Sequence, residues 1–247
     1  MKTKALWAIG ILLIAGLAVS RHILTIYFGL NILAAVVALV LHEVSHGIVA
    51  LYYGDHTAAD RGRLSLNPKA HIDPFGTVIL PALLLLLHLS PLGYAKPVPI
   101  DPSRMRNRRR ATLVVAVAGP LTNLVLSLVA GIVLRLYIYS TSYSSTGPLL
   151  SGGNSPSALL GYFWIYFGVI NAVLFVFNIL PIPPLDGSAI LRRILGEGRY
   201  ALVVGNMKFF LPILLILVFI FPALLAHLFS PVINTWLSIF VPTSAII

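Results

Sequence analysis

Residues 31–51 read NILAAVVALVLHEVSHGIVAL, an apolar stretch interrupted by His42, Glu43 and His46. A helix needs about 20 apolar residues to cross the hydrocarbon core of a bilayer, and the apolar segment 23–52 around this stretch meets that length. Ionisable side chains at such a depth are costly, so those found there usually serve a function. The stretch therefore predicts a membrane helix that carries a polar site within or near the hydrocarbon.

The composition of the whole chain is that of a membrane protein. The 247 residues are 58% hydrophobic and 10% charged, whereas soluble domains are about 45–50% apolar and about 25% charged. The net charge of +10 would suggest nucleic-acid binding in a soluble protein, but here it favours basic cytoplasmic loops, and we expect no nucleic-acid partner. The absence of cysteine excludes disulfides, iron–sulfur clusters and thiolate zinc sites, so any metal must be held by nitrogen and oxygen.

Apolar segments long enough to be membrane helices recur along the chain. They cover residues 5–20, 23–52, 111–138, 158–180 and 208–229, followed by a hydrophobic tail at 232–247 that either spans or lies on the membrane. We predict an all-α polytopic membrane protein with about five to six transmembrane helices. The chain is expected to be one integral-membrane domain, residues 1–247, with its core at about 23–190 and C-terminal helices at 205–247. We expect an uncleaved first helix rather than a signal peptide, because no clear small-residue cleavage site precedes polar sequence.

Residues 76–92 form a further apolar segment that is not expected to cross the membrane. If the N-terminus is cytoplasmic, the arginine cluster at residues 104–110 is cytoplasmic as well, which requires an even number of crossings between residues 54 and 110. One short segment interrupted by Pro81 cannot provide two crossings, so we predict a re-entrant hairpin next to the polar site. This scheme places 15 of the 17 basic residues on the cytoplasmic side.

The string His42-Glu43-Val44-Ser45-His46 has the spacing of a helical zinc site. Positions i and i+4 share a face of a helix, so both imidazoles can reach one ion, and Glu43 lies beside it to take a proton from a water molecule. The alternative is that these side chains decorate a helix end at the water interface without a metal. The cost of ionisable groups at membrane depth counts against that alternative.

A catalytic zinc site also needs a third protein ligand. A distal glutamate is nearly excluded, because the only other one, Glu197, is followed by no acid or histidine on the same face. The extended motif with a later glycine and histidine also fails, since those positions hold Val49 and Tyr52. Asp186 is the best remaining candidate, because it follows an apolar span and a proline-broken stretch that can aim it inward. Alternatively, Asp186 caps the next helix, residues 188–195.

In these motifs the chain resembles the site-2 protease family of intramembrane zinc metalloproteases, peptidase family M50, in its small form without PDZ or CBS modules. The matching motifs follow the family's order and cover the catalytic core between residues 42 and 187. They are HEVSH at 42–46, NPKAHIDPFG at 67–76, AGPLTN at 118–123 and NILPIPPLDG at 178–187.

The resemblance implies one Zn²⁺ ion per chain, held by His42, His46 and Asp186, with Glu43 as general base. It also implies that Asn178 helps to hold the substrate carbonyl or its oxyanion, although an interhelical hydrogen bond would account for this residue too. Four further polar residues are expected to support the site or guide the substrate, or else to serve loop and packing roles. They are Asn67, His71, Asp73 and Asn123.

By the same resemblance, we expect a zinc-dependent intramembrane endopeptidase that hydrolyses peptide bonds within or near transmembrane segments of membrane-tethered substrates. The alternatives are a catalytically inactive protease-like scaffold and a metal-binding or transport protein, and Glu43 counts against them because a carrier needs ligands but no general base. A prenyl-processing zinc protease is disfavoured by the missing distal glutamate. The expected partners are a transmembrane protein substrate and the lipid bilayer, with an accessory membrane protein or homo-oligomer left open. The expected location is the plasma membrane, with the N-terminus and the site opening towards the cytoplasm.

Overall fold

The computed structural model describes residues 26–73, 76–77, 94–142, 155–204 and 222–242. Within these ranges the regular structure is helical and contains no strand, which confirms the all-α prediction. Two short 3₁₀ turns, Pro68–Ala70 and Pro102–Arg104, lie in the loops. The α-helices are α1 (Ile26–Tyr52), α2 (Thr57–Asp60), α3 (Arg108–Ser142), α4 (Pro156–Ile179), α5 (Ser188–Val204) and α6 (Pro222–Phe240).

Three of these helices are long and apolar enough to cross a membrane, namely Ile26–Tyr52, Arg108–Ser140 and Pro156–Ile179. They coincide with three of the segments that the sequence predicts as spans. The predicted span at residues 5–20 and almost all of the predicted re-entrant hairpin lie outside the described residues. The described part of the chain is therefore an all-α membrane protein, while the total number of spans stays a prediction.

The spanning helices α1, α3 and α4 pack as neighbours that alternate in direction. Ala34 near the start of α1 clusters with Ala130 late in α3, whereas Ala50 near the end of α1 clusters with Ala111 at the start of α3. Small side chains at these contacts allow the helix backbones to approach closely, which is the usual basis of helix association in lipid. Helix α4 returns alongside α3, since the Ser127 hydroxyl donates to Gly168 O at 2.9 Å and the Tyr137 hydroxyl donates to Ser157 O at 2.9 Å.

Helix α6 corrects one boundary expected from the sequence. Residues 222–229 of the predicted span 208–229 and the first residues of the tail from 232 belong to one helix, which runs from Pro222 to Phe240 through Pro231, while residues 208–221 lie outside the described part of the chain. Trp236 of this helix is buried, packs against α3 and α4, and donates its indole N–H to Ser127 O at 3.3 Å. A proline inside a membrane helix is tolerated when neighbouring groups compensate for the lost hydrogen bond, so Pro231 did not have to end the helix.

Helix α5 follows the motif NILPIPPLDG and also extends beyond its expected end. The sequence predicts a helix over residues 188–195, but helical structure continues to Val204 after a kink at Gly196. The positive φ of 76° at Gly196 is a backbone conformation that glycine adopts without strain. Arg192 and Glu197 form an exposed ion pair across the kink, with Nη2 and Oε2 2.8 Å apart.

Two loop segments, residues 53–73 and 94–107, form a layer over the end of α1, called the loop layer below. The two segments are tied by main-chain hydrogen bonds from Lys96 N to His71 O and from Arg106 N to Tyr53 O, both 2.8 Å long. Asp55 is fully buried between them and accepts hydrogen bonds from Asp101 N at 2.6 Å and Thr57 N at 3.0 Å. The loop layer thus covers the helix turn that carries the HEVSH motif.

Candidate metal centre

The two histidines of α1 face the interior of the helix bundle. His42 and His46 are one helical turn apart, and their side chains are buried, with exposures of 5% and 6%. Their Nε2 atoms lie 3.1 Å apart. The i and i+4 spacing therefore places two potential ligand atoms at one point, as the sequence predicts.

Asp186 reaches the same point from the segment after α4. Its Oδ2 atom lies 3.0 Å from His42 Nε2 and 3.3 Å from His46 Nε2. The segment turns tightly, because Gly187 N donates to Asn178 O at 2.7 Å and a Cβ atom at residue 187 would overlap the carbonyl oxygens of Ile179 and Leu180. The carboxylate consequently faces the two histidines.

The geometry of these three side chains fits a zinc ion. Ligands about 2.0–2.1 Å from one ion in tetrahedral geometry lie about 3.3 Å apart, which matches the 3.0–3.3 Å separations of the three atoms. Asp186 Oδ2 is buried and faces the two Nε2 atoms, and it accepts no hydrogen bond among the described residues. Among the described residues, these three side chains are the one group of potential metal ligands whose ligand atoms converge.

Both imidazoles are held through their other ring nitrogen. His46 Nδ1 donates to the main-chain oxygen of Val115 at 2.7 Å, and His42 Nδ1 donates to Asn123 Oδ1 at 2.5 Å. A neutral imidazole that donates from Nδ1 presents a lone pair at Nε2. Two nitrogen lone pairs and a carboxylate oxygen therefore meet in one place, an arrangement that a bound cation stabilises.

Gly119 of α3 makes room for the two imidazoles. A Cβ atom at this position would lie within 2.6 Å of the Nε2 atoms of both His42 and His46. Position 119 must therefore be glycine for the two imidazoles to keep their places. This explains the glycine of the AGPLTN motif through the geometry of the centre.

Comparison with known proteins identifies the family. The profile described as Peptidase family M50 matches residues 30–221, more than half of the chain. The chain belongs to peptidase family M50. This M50 protein is therefore a member of the site-2 protease family, as the resemblance in its motifs implies.

The curated relatives carry names that agree with this assignment. The chain is 34% identical over 167 residues to "Putative zinc metalloprotease YwhC" of Bacillus subtilis, which covers 68% of this chain and 69% of the relative. It is 30% identical over 196 residues to "Putative zinc metalloprotease Rip2" of Mycobacterium tuberculosis, with 79% and 68% covered. The Rip2 protein of Mycolicibacterium smegmatis is 28% identical over 215 residues, with 85% and 71% covered. No solved structure matches the chain significantly.

Glu43 of this M50 protein lies where α1 meets the loop layer. Its side chain is half-buried, and Oε2 accepts a hydrogen bond of 2.8 Å from Val98 N. The loop layer therefore holds one carboxylate oxygen of the predicted general base through a main-chain N–H. The sequence gives no signal for Val98, because its contribution is a backbone group.

Asn178 does not contact the converging ligand atoms through any described hydrogen bond. Its side-chain amide donates to Leu174 O of its own helix at 3.0 Å, and its main-chain oxygen holds Gly187 N. The contact with the ligand segment is thus made by the backbone. The predicted role of its side chain towards a substrate carbonyl stays a prediction.

The other predicted residues fall into two groups. Asn123 lies inside the bundle and bonds to His42. In the loop layer, Asn67 caps the 3₁₀ turn through Lys69 N, and Asp73 accepts a hydrogen bond from Gly76 N. His71 is buried there and donates from Nε2 to Ser65 O at 2.8 Å. These contacts lie in and beside the loop layer, and the predicted roles of Asn67, His71 and Asp73 in supporting the site or guiding the substrate stay predictions.

Sequence reasoning missed two buried polar residues. Asn171 is fully buried in α4 and bonds to Asn123. Asp55 is fully buried in the loop layer, where it joins the two loop segments. A signal for both was present, since an amide inside an apolar span and one of only seven acidic residues in the chain are each unusual in this composition.

Proposed function

We propose that this protein is a zinc-dependent intramembrane endopeptidase that cleaves membrane-tethered proteins within or near their transmembrane segments. The observation that carries the proposal is the convergence of His42, His46 and Asp186 inside a bundle of apolar helices, with Glu43 between the two histidines in sequence. Membership of a peptidase family and relatives named as zinc metalloproteases support it.

The chain's own residues supply the parts that peptide hydrolysis needs. His42, His46 and Asp186 would hold the ion, which when bound acidifies a water molecule and polarises the substrate carbonyl. Glu43 would take the proton from the water and return it to the leaving amine. An amide group has two N–H donors, and the described contacts of Asn178 use one of them, so the second could stabilise a developing oxyanion.

We infer that the protein lies in the plasma membrane and that its site opens towards the cytoplasm. The arrangement of the helices supports this orientation. The end of α1, the start of α3 and the end of α4 lie at the same end of the helix bundle. Arg106, just before α3, donates to Tyr52 O at 3.0 Å, and Asp186, just after α4, lies next to His46. The arginine cluster of residues 104–110 lies at that end of the bundle, and such clusters favour the cytoplasmic side. We therefore place the loop layer in the cytoplasm.

A transmembrane substrate would have to unwind before cleavage. A helix satisfies its own backbone hydrogen bonds and hides its carbonyl groups. The scissile segment must therefore become extended beside Glu43, at the border of α1 and the loop layer, where residues 94–101 are themselves free of regular helix. The substrate's polar backbone can be satisfied there by water and by loop groups.

The experiment is a cleavage assay in zinc-loaded proteoliposomes, with single-span peptides that carry a fluorophore and a quencher on opposite sides of the span. Glu43→Gln is expected to keep its zinc and to lose activity about 10²–10⁴-fold, because the proton acceptor is removed while the ligands stay. Glu197→Gln is the matched control, since Glu197 is the other glutamate of the chain and lies exposed on α5. Cleavage by Glu43→Gln at the wild-type rate would contradict the proposed mechanism.

A further inference from the structure

Two fully buried asparagines connect His42 to the far side of the bundle. Asn123 of α3 and Asn171 of α4 both have an exposure of 0%. Asn123 Nδ2 donates to Asn171 Oδ1 at 2.7 Å, and Asn171 Nδ2 donates to Phe167 O at 2.8 Å. Buried amides without partners are expensive, so a continuous chain of hydrogen bonds from α1 through α3 to α4 is needed to keep them there.

The direction of this hydrogen-bond chain is fixed at its far end. Phe167 O is a carbonyl oxygen and can only accept, so Asn171 must turn its NH₂ group towards it. Asn171 Oδ1 then faces Asn123 and demands the NH₂ group of Asn123 in return. As a result, Asn123 presents its oxygen to His42, and His42 Nδ1 must carry the proton.

The reversed arrangement is excluded by the same carbonyl group. If Asn123 turned its NH₂ group to His42, its oxygen would require the NH₂ group of Asn171, and Asn171 Oδ1 would be forced against Phe167 O. His42 would then accept at Nδ1 and carry its proton on Nε2, the nitrogen that points at Asp186. A protonated Nε2 cannot bind a metal ion.

His46 shows what this chain of hydrogen bonds achieves. His46 Nδ1 donates directly to Val115 O, a main-chain acceptor that cannot be reversed. The partner of His42 is a side-chain amide that can present either an acceptor or a donor, so it needs a further group to set its orientation. Asn171 is the residue that supplies this constraint.

We propose that Asn171 is a positioning residue, which orients the amide of Asn123 and thereby holds His42 in the tautomer that binds metal. The inference rests on the proposed function to the extent that His42 is taken to be a zinc ligand. It adds a residue in the middle of α4 that touches neither the converging ligand atoms nor the loop layer in the described contacts. Groups that orient metal-bound histidines typically account for about 10–100-fold in metal affinity.

The test measures zinc affinity by competition with a chelator on the full chain purified in detergent. Asn171→Leu is expected to lower the affinity about 10–100-fold, and Asn171→Ala, which leaves space for a water molecule, serves as the second variant if the first does not fold. Ser127→Ala is the matched control, because it removes a buried hydrogen bond from the same α3–α4 contact, to Gly168 O, without touching His42. The control is expected to bind zinc like the wild type.

A substitution at position 123 distinguishes a role of Asn171 in orienting the Asn123 amide from a role in helix packing. In an Asn123→Asp background both side-chain oxygens at position 123 are acceptors, so His42 keeps its partner whichever way the group turns. Asn171 Oδ1, which receives the NH₂ group of Asn123 in the wild type, meets a carboxylate oxygen in this background, so the Asn171 substitutions should not lower zinc affinity there. An equal loss in both backgrounds would show a packing role and overturn the proposal, as would no loss in either. A wild-type protein that binds no zinc would contradict the proposed function and this inference together, whereas unchanged zinc affinity in the variants would contradict the inference alone.

Discussion

The candidate metal centre, formed by His42, His46 and Asp186, differs from the loop layer in the hydrogen-bond partners of its carboxylate. In the loop layer the Asp55 carboxylate receives hydrogen bonds from the amides of Thr57 and Asp101 and from the Thr57 hydroxyl. At the metal centre, three acceptor atoms of His42, His46 and Asp186 face one another, while the donors of both imidazoles point away. Protein donors alone satisfy the Asp55 carboxylate, whereas three acceptor atoms that face one another are suited to a cation.

This difference predicts that removing an acceptor atom lowers zinc affinity at the candidate metal centre but not in the loop layer. The largest loss of zinc affinity is expected for Asp186→Ala. Loss of a ligand should reduce zinc affinity by more than the about 10–100-fold that a supporting hydrogen bond contributes. Zinc content per chain, measured after gel filtration in detergent, checks this. Asp60→Ala is the control, since Asp60 is an exposed carboxylate of the loop layer. Retention of one tightly held zinc ion by Asp186→Ala would move the third ligand elsewhere.

Gly119→Ala tests whether the metal centre is limited by space as well as by its ligands. The added methyl group would collide with both imidazoles, so zinc affinity should fall by about 10-fold or more. The free energy of unfolding of the metal-free protein need not fall equally, because alanine favours a helix by up to about 1 kcal/mol over glycine. Gly29→Ala in α1, where a Cβ atom meets nothing within 4 Å, is the control. Equal zinc affinity in the two variants would refute the steric explanation.

Asp55→Asn is expected to change zinc affinity least and to lower the free energy of unfolding. Burial alone would raise the pKa of Asp55, but the hydrogen bonds from Thr57 and Asp101 outweigh it and the pKa is lowered. The variant should lose about 1–3 kcal/mol in free energy of unfolding at pH 7, because its NH₂ group cannot accept the N–H bonds that the carboxylate accepts. Zinc bound per folded chain should be unchanged.

The lowered pKa also fixes how this difference depends on pH. The folded state favours the ionised carboxylate, so its contribution is complete above the unfolded pKa of about 3.9 and is lost as the pH falls through the lower folded value. Thermal unfolding of wild type and Asp55→Asn at pH 7 and below pH 4 should therefore show curves that converge in acid. Asp60→Asn is the control, and a difference that grows in acid would refute the assignment.

The sequence could predict the parts of the site that depend on local spacing. His42, Glu43 and His46 follow from the helical period, and Asp186 follows from the elimination of other ligands and the proline-broken stretch before it. The three described spans follow from apolar length alone. These features need no knowledge of which helices touch.

The features that depend on contacts between distant helices could not be predicted. The hydrogen bond between Asn123 and Asn171 joins residues 48 positions apart, and no spacing rule pairs one amide of an apolar span with another. The main-chain contacts of Val98 with Glu43 and of Val115 with His46 could not be predicted either, because every residue type other than proline carries the same backbone groups. The continuation of α6 through Pro231 depends on packing that overrides the local preference of proline.

The candidate metal centre is assembled from α1 and from the segment after α4, which has a consequence for biosynthesis. His46 and Asp186 are 140 residues apart in the chain, and ribosomes add about 5–20 residues each second, so about 7–28 s separate the synthesis of these two residues. During that interval α1 leaves the ribosome, but Asp186 has not yet been synthesised. A nascent chain therefore cannot complete the candidate metal centre until α4 and the segment after it, with Asp186, have been made.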